Sequence, residues 1–344
     1  MPPRLVERPR RIKAWALFIL TNLLSVACLM WVLNGAGLSH IWGEIRHMNW
    51  TWVLVAALSN VFVFLLQGWR WALLLKPIGR VSFWQATRAI YVGLFANEVL
   101  PLRAGELIRC FMLSRSATDI PLSVAFASAL IERIFDGAWL MACFLFCLHL
   151  HRFPSVLLKG GYLLGVMIVI LAAILGYAMY AKKQSWELFF GLAWPRWFNT
   201  LIEDLHMIGH SRYLYFSFFV SGAFMLCQIL PIYTLVRANK LAVASWTASF
   251  VMMVLLRLSS IVPQAPGNLG LFNWVTARTL TLFGLPTAHA RRFSIVLWAV
   301  VTLPLVVVGF VLLAITGVNL THLHRDATAA AKKRRGEAAV DSIQ

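Results

Sequence analysis

The stretch VSFWQATRAIYVGLFANEVLPLRAGEL, from Val81 to Leu107, returns in altered form as VASWTASFVMMVLLRLSSIVPQAPGNL, from Val243 to Leu269. The two copies share 8 identities over 27 positions. In each copy an apolar run (Phe83 to Leu100, Trp246 to Val262) ends in a loop that contains proline and glycine. A short helical stretch follows, predicted over Gly105 to Ser114 and over Asn268 to Leu282. An apolar helix, a break and a short return predict a re-entrant hairpin, which membrane proteins tolerate where the broken backbone is covered by protein.

The composition around the two hairpins is that of an integral membrane protein. Apolar residues are 60% of the 344, charged residues 13%, and the mean hydropathy is +0.75, whereas soluble domains average about 45–50% apolar and about 25% charged residues. A membrane-spanning helix needs about 20 mostly apolar residues. The sequence therefore predicts an all-α polytopic helical bundle with about six full crossings, over Ala14 to Leu33, Trp52 to Leu66, Pro121 to Leu150, Tyr162 to Ala181, Tyr213 to Val236 and Phe293 to Val318.

The order of these segments predicts an inverted repeat, with half-repeats at about 52–150 and 213–318. Three crossings separate the two hairpins, so the second hairpin enters the membrane from the opposite side. Broken helices at matching positions of two inverted halves are the best sequence indication of a transporter's binding site. Full crossing by the hairpins would change this topology and remains the alternative.

The net charge of +18 is explained by membrane topology and does not indicate nucleic-acid binding. Most basic residues lie in short connections, and the basic segment 1–13 places the N-terminus in the cytoplasm by the positive-inside rule. Residues 14–318 then form one transmembrane domain with an interfacial helix at about 185–212, for which an ordinary amphipathic connector is an equal alternative. Residues 319–344 form a basic, disordered cytoplasmic tail, and tryptophans at the ends of apolar runs, Trp69 and Trp71 among them, resemble an interfacial belt.

Ionisable residues in membrane segments cost roughly 2.5–3.5 kcal/mol each on insertion scales and usually mark function or pairing. The loop NEVLPLRAGELIR (Asn97 to Arg109) places Arg103 at a helix start, where backbone amides and arginine favour phosphate. Glu106 and Arg109 are three residues apart and are predicted to pair on one helix face. The alternative is a cytoplasmic turn whose arginines only hold the topology.

A second charged group is ERIFD, which carries Glu132, Arg133 and Asp136. Glu132 and Asp136 lie on one helix face at i and i+4. Two roles are equally compatible with this spacing: an ion pair inside the helix bundle, and neutralisation of Arg103 or Arg109. The third group is VPQAPGNLGLFNW, from Val262 to Trp274, where Gln264, Asn268 and Asn273 offer amide hydrogen bonds. This loop is predicted to meet the first one and form the other half of a gate.

Signatures of soluble enzymes do not occur. The sequence has no GxSxG, HExxH, P-loop or GxGxxG, and a metal site at His206 and His210 would need further ligands. We therefore expect no enzyme, no metal and no cofactor. The predicted hinge positions are those where proline or glycine interrupts a helix: Pro101, Gly105, Pro263, Pro266, Gly267 and Gly270.

Three motifs, NEVLPLRAGELIR, ERIFD and PQAPGNLG (Pro263 to Gly270), resemble the signatures of the lysylphosphatidylglycerol synthase transmembrane-region family of flippase-like proteins. The resemblance spans about Ala14 to Thr316. Members usually carry a second glycine and then an acid in the third motif, where this chain has Asn268 and Asn273. The aminoacyl-transferase domain that follows this region in full-length synthases is not expected here.

The resemblance implies lipid handling in the bacterial inner membrane, and the chain's size fits the hopanoid-biosynthesis-associated branch. We predict a translocase of an anionic or isoprenoid-type lipid with both termini cytoplasmic. A non-catalytic subunit of a lipid-biosynthesis system, with proteins of that system as partners, and an intramembrane lipid-modifying enzyme are the alternatives. The predicted substrate-binding residues are Asn97, Arg103, Glu106, Arg109, Glu132, Arg133, Asp136, Gln264 and Asn268.

Overall fold

The computed structural model describes residues 23, 25–34, 38–100, 104–117, 119–150, 165–170, 172–173, 176–177, 208–209, 211–241, 245–260 and 266–316. Its regular elements in these ranges are helical, and the protein is an all-α polytopic membrane protein. The helices are α1 (Ser25–Asn34), α2 (Leu38–His47), α3 (Trp50–Leu75), α4 (Phe83–Val99), α5 (Gly105–Ser116), α6 (Leu122–Leu150), α7 (Arg212–Cys227), α8 (Ile229–Ala238), α9 (Trp246–Ser259), α10 (Leu271–Leu282) and α11 (Thr287–Thr316).

Three of the described segments are long and apolar enough to cross a membrane: α3, α7 with α8 (Arg212–Ala238), and α11. On α3 the exposed side chains of Leu54, Leu58 and Phe62 follow a helical spacing of four and form an apolar stripe. An exposed stripe of this kind has no place in water and is covered by lipid in a membrane. Helix α6 is also long enough, at 29 residues, although it carries the three charges of ERIFD.

Two helices differ from the predicted crossings for clear physical reasons. Helix α3 runs on to Leu75 instead of ending at Leu66, because the apolar residues Trp71 to Leu75 continue its helical run beyond Arg70. The predicted crossing over Tyr213 to Val236 has a turn at Gln228, three residues before Pro231, whose ring and missing N–H interrupt a regular helix. The side chains of Ser211 and Ser245 cap the starts of α7 and α9 by accepting hydrogen bonds from backbone N–H groups.

The chain divides into two compact units. Unit 1 comprises Met1–Ser59, Asn97–Arg103 and Ile229–Pro304, and unit 2 comprises Asn60–Ala96, Ala104–Gln228 and Leu305–Gln344. In unit 1, α9 packs against both α8 and α10, and in unit 2, α6 packs against both α5 and α7.

Both repeat copies show the predicted helix, break and return. Helix α4 ends at Val99 and α5 begins at Gly105, while α9 ends at Ser259 and α10 begins at Leu271. Of the break residues, Pro101, Leu102, Arg103 and residues 261–265, with Pro263 and Gln264, lie outside the described part. Re-entry from opposite sides and the number of crossings stay predictions. The N-terminal segment 1–13, most of the interfacial region 185–212, and the tail 319–344 also fall outside it.

Candidate functional site

Unit 2 contains a buried arginine at its centre, Arg70 on α3. Its side chain is fully enclosed, and its Nε donates to Glu132 Oε1 at 3.0 Å. Its Nη1 donates to Ser221 Oγ at 3.0 Å and also pairs with the carboxylate of Asp136. The guanidinium carbon lies 4.9 Å from the ring centroid of Phe224. Helices α3, α6 and α7 therefore converge on a single cation.

Glu132 links Arg70 to a second buried arginine. Its other oxygen, Oε2, accepts from Arg109 Nη1 at 2.9 Å. The Arg109 guanidinium carbon lies 4.9 Å from the ring of Trp71, and Trp71 Nε1 donates to Ser128 Oγ at 2.9 Å. One carboxylate thus serves two guanidinium groups, each placed over an aromatic ring, which is a favourable arrangement for a cation away from water.

The network continues from Arg109 toward the surface of unit 2. Glu106 Oε2 lies 2.9 Å from Arg109 Nε, and its Oε1 pairs with Arg133. The side chains of Glu106 and Arg133 are 36% and 47% exposed, whereas Glu132 is 1% exposed. The chain of ion pairs therefore has an enclosed end at Arg70 and an open end at Arg133.

We call these six residues the ion network: Arg70, Glu106, Arg109, Glu132, Arg133 and Asp136. Three cations face three anions, so the network is neutral as a whole. Enclosed charges cost several kcal/mol each unless they are paired and hydrogen-bonded. Charge balance explains how three arginines are accommodated among apolar helices, and it also means that an added anion must displace one of the three acids.

The contact between Glu106 and Arg109 is an ion pair without hydrogen-bond geometry. The Arg109 Nε atom lies close enough to Glu106 for an ion pair, but the angle of this contact is not that of a hydrogen bond. Arg109 Nη2 is enclosed and has no hydrogen-bond acceptor among the described residues. Two N–H groups of Arg109 therefore retain donor capacity on a side chain that is otherwise 3% exposed.

A close helix contact holds Arg109 in place. A Cβ atom added at Gly93 on α4 would lie 2.8 Å from the Gly105 carbonyl oxygen and 2.9 Å from Arg109 Cβ. Only glycine allows α4 and α5 to approach this closely. Within α5 the i, i+3 spacing then brings Glu106 alongside Arg109.

The sequence predicted part of this network. The Glu106–Arg109 pair and the neutralisation of Arg109 by Glu132 are confirmed as contacts. Asp136 pairs with Arg70, and Arg133 pairs with Glu106. Whether these residues bind a substrate stays a prediction, as does the role of Arg103.

Sequence reasoning missed Arg70 and assigned Trp71 wrongly. Trp71 was expected in an interfacial belt, but it is fully buried and hydrogen-bonded. The signal that would have found both residues is the apolar sequence on either side of Arg70. An arginine inside an uninterrupted helical run is an intramembrane charge and needs an acidic partner.

In unit 1 the second loop contacts the end of the first copy's helix. Asn268 Nδ2 donates to Glu98 Oε1 at 3.1 Å, and Asn97 lies in the same last turn of α4. This hydrogen bond agrees with the prediction that the two loops meet. This loop therefore presents an amide donor to the Glu98 carboxylate.

The backbone of the second loop needs its glycines. Gly267 and Gly270 have φ of 77° and 91°, in the region that favours glycine, and Asn268 shares it with φ 52°. Trp298 Nε1 donates to the Gly267 carbonyl at 2.7 Å. These angles support the assignment of both glycines as breaks, whereas Gly105 simply begins α5 and shows no positive φ.

Asn273 has a structural role in the same loop. It is buried, its Oδ1 accepts from Gly270 N at 3.2 Å, and its Nδ2 donates to the Ser294 carbonyl at 2.9 Å. Its amide is therefore used in joining α10 to α11. Within the described ranges no group of three His, Cys, Asp or Glu side chains is arranged to hold a metal ion; His206 and His210 lie outside these ranges.

Comparison with known proteins gives a consistent result over almost the whole chain. The family described as "Lysylphosphatidylglycerol synthase TM region" matches residues 16–316. A "UPF0104 membrane protein" of Methanothermobacter thermautotrophicus is 24% identical over 318 residues, which cover 83% of this chain and 88% of that protein. A second "UPF0104 membrane protein", from Methanocaldococcus jannaschii, is 27% identical over 129 residues, or 37% of each chain.

A shorter similarity links the chain to a longer protein. "Glycosyltransferase AglD" of Haloferax volcanii is 35% identical over 86 residues, which are 24% of this chain and 14% of that protein. The similarity therefore concerns a small part of that relative.

Proposed function

Because this chain belongs to the lysylphosphatidylglycerol synthase transmembrane-region family, we propose that it is a lipid translocase that moves an anionic lipid between the leaflets of the bacterial inner membrane. We propose a non-enzymatic role, with both termini cytoplasmic and the membrane lipid itself as the partner. The family and its relatives support a membrane-lipid role; translocation is our inference from the ion network.

The observation that carries the proposal is the gradient of exposure along the ion network. Glu106 and Arg133 are accessible at one end, and Arg109 lies directly behind Glu106. A phosphate group that takes the position of the Glu106 carboxylate would have two arginines to bind. Arginine suits phosphate because its planar fork forms charge-assisted hydrogen bonds to two oxygens.

Glu106 would then act as an internal substitute for the lipid phosphate. When the site is empty, its carboxylate pairs with Arg109 and Arg133, while Arg109 also keeps its ion pair with Glu132. When a headgroup enters, the carboxylate swings toward the open end, and Arg109 Nε and Nη2 donate to phosphate oxygens. The exchange keeps the charge of the enclosed part constant, which lowers the cost of passing a headgroup through an apolar region.

The second loop carries a contact within unit 1 that is suited to opening and closing. Glu98 and Asn268 join the end of α4 to the break between α9 and α10 within unit 1. A hydrogen bond between one acid and one amide can be broken at a cost of about 1.5–3 kcal/mol. We propose that this contact breaks and re-forms during transport, with Pro266, Gly267 and Gly270 as the flexible backbone.

Leaflet-resolved lipid transfer in proteoliposomes tests the function. Purified protein is reconstituted with a trace of fluorescent phosphatidylglycerol or phosphatidylcholine, and an impermeant quencher reports the outer-leaflet fraction. We expect transfer of phosphatidylglycerol that both variants reduce at least about tenfold: Arg133→Gln loses a charge-assisted contact to the phosphate, and Glu106→Gln loses the carboxylate that displaces the phosphate again. Arg88→Gln is the matched control, since Arg88 is an exposed arginine on α4 of the same hairpin.

Both test residues are part-exposed, so their substitutions leave the enclosed pairs of Arg70 and Glu132 intact. Equal transfer by wild type and both variants would refute the proposed site. No transfer of either lipid by folded wild-type protein would refute the translocase and favour a non-catalytic subunit of a lipid-biosynthesis system. A change in the headgroup of the recovered lipid would favour an enzyme instead.

A further inference from the structure

Unit 1 has a second group of arginines, and the ion network does not account for it. Arg278 on α10 and Arg291 on α11 both lie against the ring of Trp31 on α1, with guanidinium carbons 5.3 Å and 3.8 Å from the ring centroid. Since both distances are measured to one point, the two guanidinium groups are at most about 9 Å apart. Three helices thus bring two cations to one aromatic ring.

These two arginines lack acidic partners in the described part of the chain. The described acids of unit 1 are Glu44 and Glu98. Glu44 accepts from Arg292 Nε at 2.6 Å and lies 3.3 Å from His289, while Glu98 accepts from Asn268. Arg291 Nε is enclosed and has no hydrogen-bond acceptor among the described residues. The ring stabilises the charges, but the donors still have capacity for an anion.

Topology gives no reason for arginines at this position. In the predicted arrangement the end of the first crossing, the return leg of the second hairpin and the start of the last crossing all lie on the outer face. Trp31 contacts both Arg278 and Arg291, which supports the prediction that these three segment ends lie close to one another. The positive-inside rule concentrates basic residues on the cytoplasmic side, so a cation pair on the outer face needs another purpose.

We propose that Arg278, Arg291 and Trp31 form a binding site for the phosphate of an anionic lipid headgroup at the outer face of the membrane. Two guanidinium forks hold one phosphate from two sides, and the indole ring keeps both forks in position. Tryptophan is the residue that most favours the headgroup level of a bilayer, which places the phosphate of a lipid, rather than a soluble anion, within reach. Glu44 adds selectivity because it pairs with Arg292 and His289, so these two side chains do not compete for the phosphate.

This site does not depend on the proposed function, because it requires binding and not movement. It also differs from the ion network because no acid among the described residues occupies the anion's place. An anion enters here without displacing a carboxylate, so the outer site is expected to stay occupied by lipid at rest. The inference gives the protein a resident or waiting lipid at one leaflet.

Native mass spectrometry of the protein released from nanodiscs tests the site. With phosphatidylglycerol in the nanodisc, we expect wild-type protein to retain one tightly bound anionic lipid. The double variant Arg278→Gln/Arg291→Gln should lower the affinity for that lipid by at least about tenfold, because both forks are lost. Arg278→Lys/Arg291→Lys, which keeps the charge and loses the forks, should fall between the two.

Arg237→Gln is the matched control. Arg237 also belongs to unit 1, is exposed, and lies over the rings of Trp52 and Tyr233 at 5.5 Å and 5.7 Å, but as a single guanidinium on those rings. It should retain the lipid. Equal retention by the double Gln variant, or an equal loss in Arg237→Gln, would overturn the assignment.

Two further measurements distinguish a lipid phosphate from free phosphate as the ligand and check that the double variant is folded. Millimolar inorganic phosphate should not displace the bound lipid; displacement would show a site for soluble anions and overturn the lipid assignment. Elution volume and helical circular dichroism of the double variant should match wild type. If the double variant is misfolded, the single variant Arg278→Gln decides the matter, since Arg278 is exposed and its loss alone should weaken binding.

Discussion

Glu132→Gln removes the charge that holds two enclosed arginines, and its effect on stability can be worked out from the structure. The Glu132 carboxylate is 1% exposed and accepts from Arg70 at 3.0 Å and from Arg109 at 2.9 Å. A glutamine of the same shape can accept from one arginine but presents an N–H group to the other. Two donors then face each other, and the enclosed network carries one excess positive charge.

Breaking an enclosed ion pair by removing one partner costs about 3–5 kcal/mol. The substitution should therefore shift the folding equilibrium by two to three and a half powers of ten. Glu106→Gln should cost only about 0.2–1 kcal/mol, because its side chain and that of Arg133 are part-exposed and screened. We therefore predict a large difference in the free energy of unfolding between two chemically identical substitutions in the same network.

The assay is equilibrium unfolding of purified protein by increasing mole fraction of SDS in mixed micelles, followed by helical circular dichroism. The double variant Arg109→Gln/Glu132→Gln restores charge balance. Its loss in free energy of unfolding should therefore be smaller than the sum of the two single losses, by a coupling energy of about 0.5–3 kcal/mol. If Glu132→Gln proved no more destabilising than Glu106→Gln, the ion network would not be the enclosed, balanced unit described above.

Three further predictions follow from contacts near the two sites. Gly93→Ala should destabilise the protein by about 1–3 kcal/mol, because the added Cβ meets the Gly105 carbonyl and Arg109 Cβ; Gly43→Ala on α2, with open space around it, is the control and should be neutral or stabilising in the same SDS titration. Trp71→Phe should cost about 2–3 kcal/mol, because it leaves Ser128 Oγ without the indole donor and opens a cavity at a fully buried position; an unchanged stability would contradict the burial of this side chain. Asn268→Asp should lower both stability and lipid transfer, since it replaces a donor 3.1 Å from Glu98 with a second carboxylate, whereas Asn268→Gln should retain part of both; unchanged transfer by the Asp variant would remove this contact from the pathway.

The sequence predicted the membrane class and the broken helices because both depend on local composition. Apolar runs form helices wherever they occur in lipid, and proline with glycine ends them. The limits of α3 were wrong for a reason of the same kind: the crossing was predicted to end at Leu66, whereas the helix continues through Arg70 and the apolar residues Trp71 to Leu75.

Ion pairing within one helix follows from residue spacing, whereas pairing between helices could be predicted only as one of two alternatives, as for Glu132 and Arg109. Glu106 and Arg109 are three residues apart, so helical geometry alone brings them together. Arg70 and Asp136 are 66 residues apart, and their contact depends on how α3 packs against α6. Likewise, nothing in the local sequence around Trp31 indicates that Arg278 and Arg291 will share its ring.

The most direct test of the central claim is the affinity of the Glu106→Gln variant for an anionic lipid. If the Glu106 carboxylate occupies the place of the phosphate, removing its charge removes a competitor. We predict that the affinity of the variant for phosphatidylglycerol is at least about threefold higher than that of wild type, because a part-exposed competing charge is removed. The variant should also transfer the lipid more slowly. Weaker or unchanged binding would contradict the claim, because it would show that Glu106 supports the arginines without standing in for the lipid.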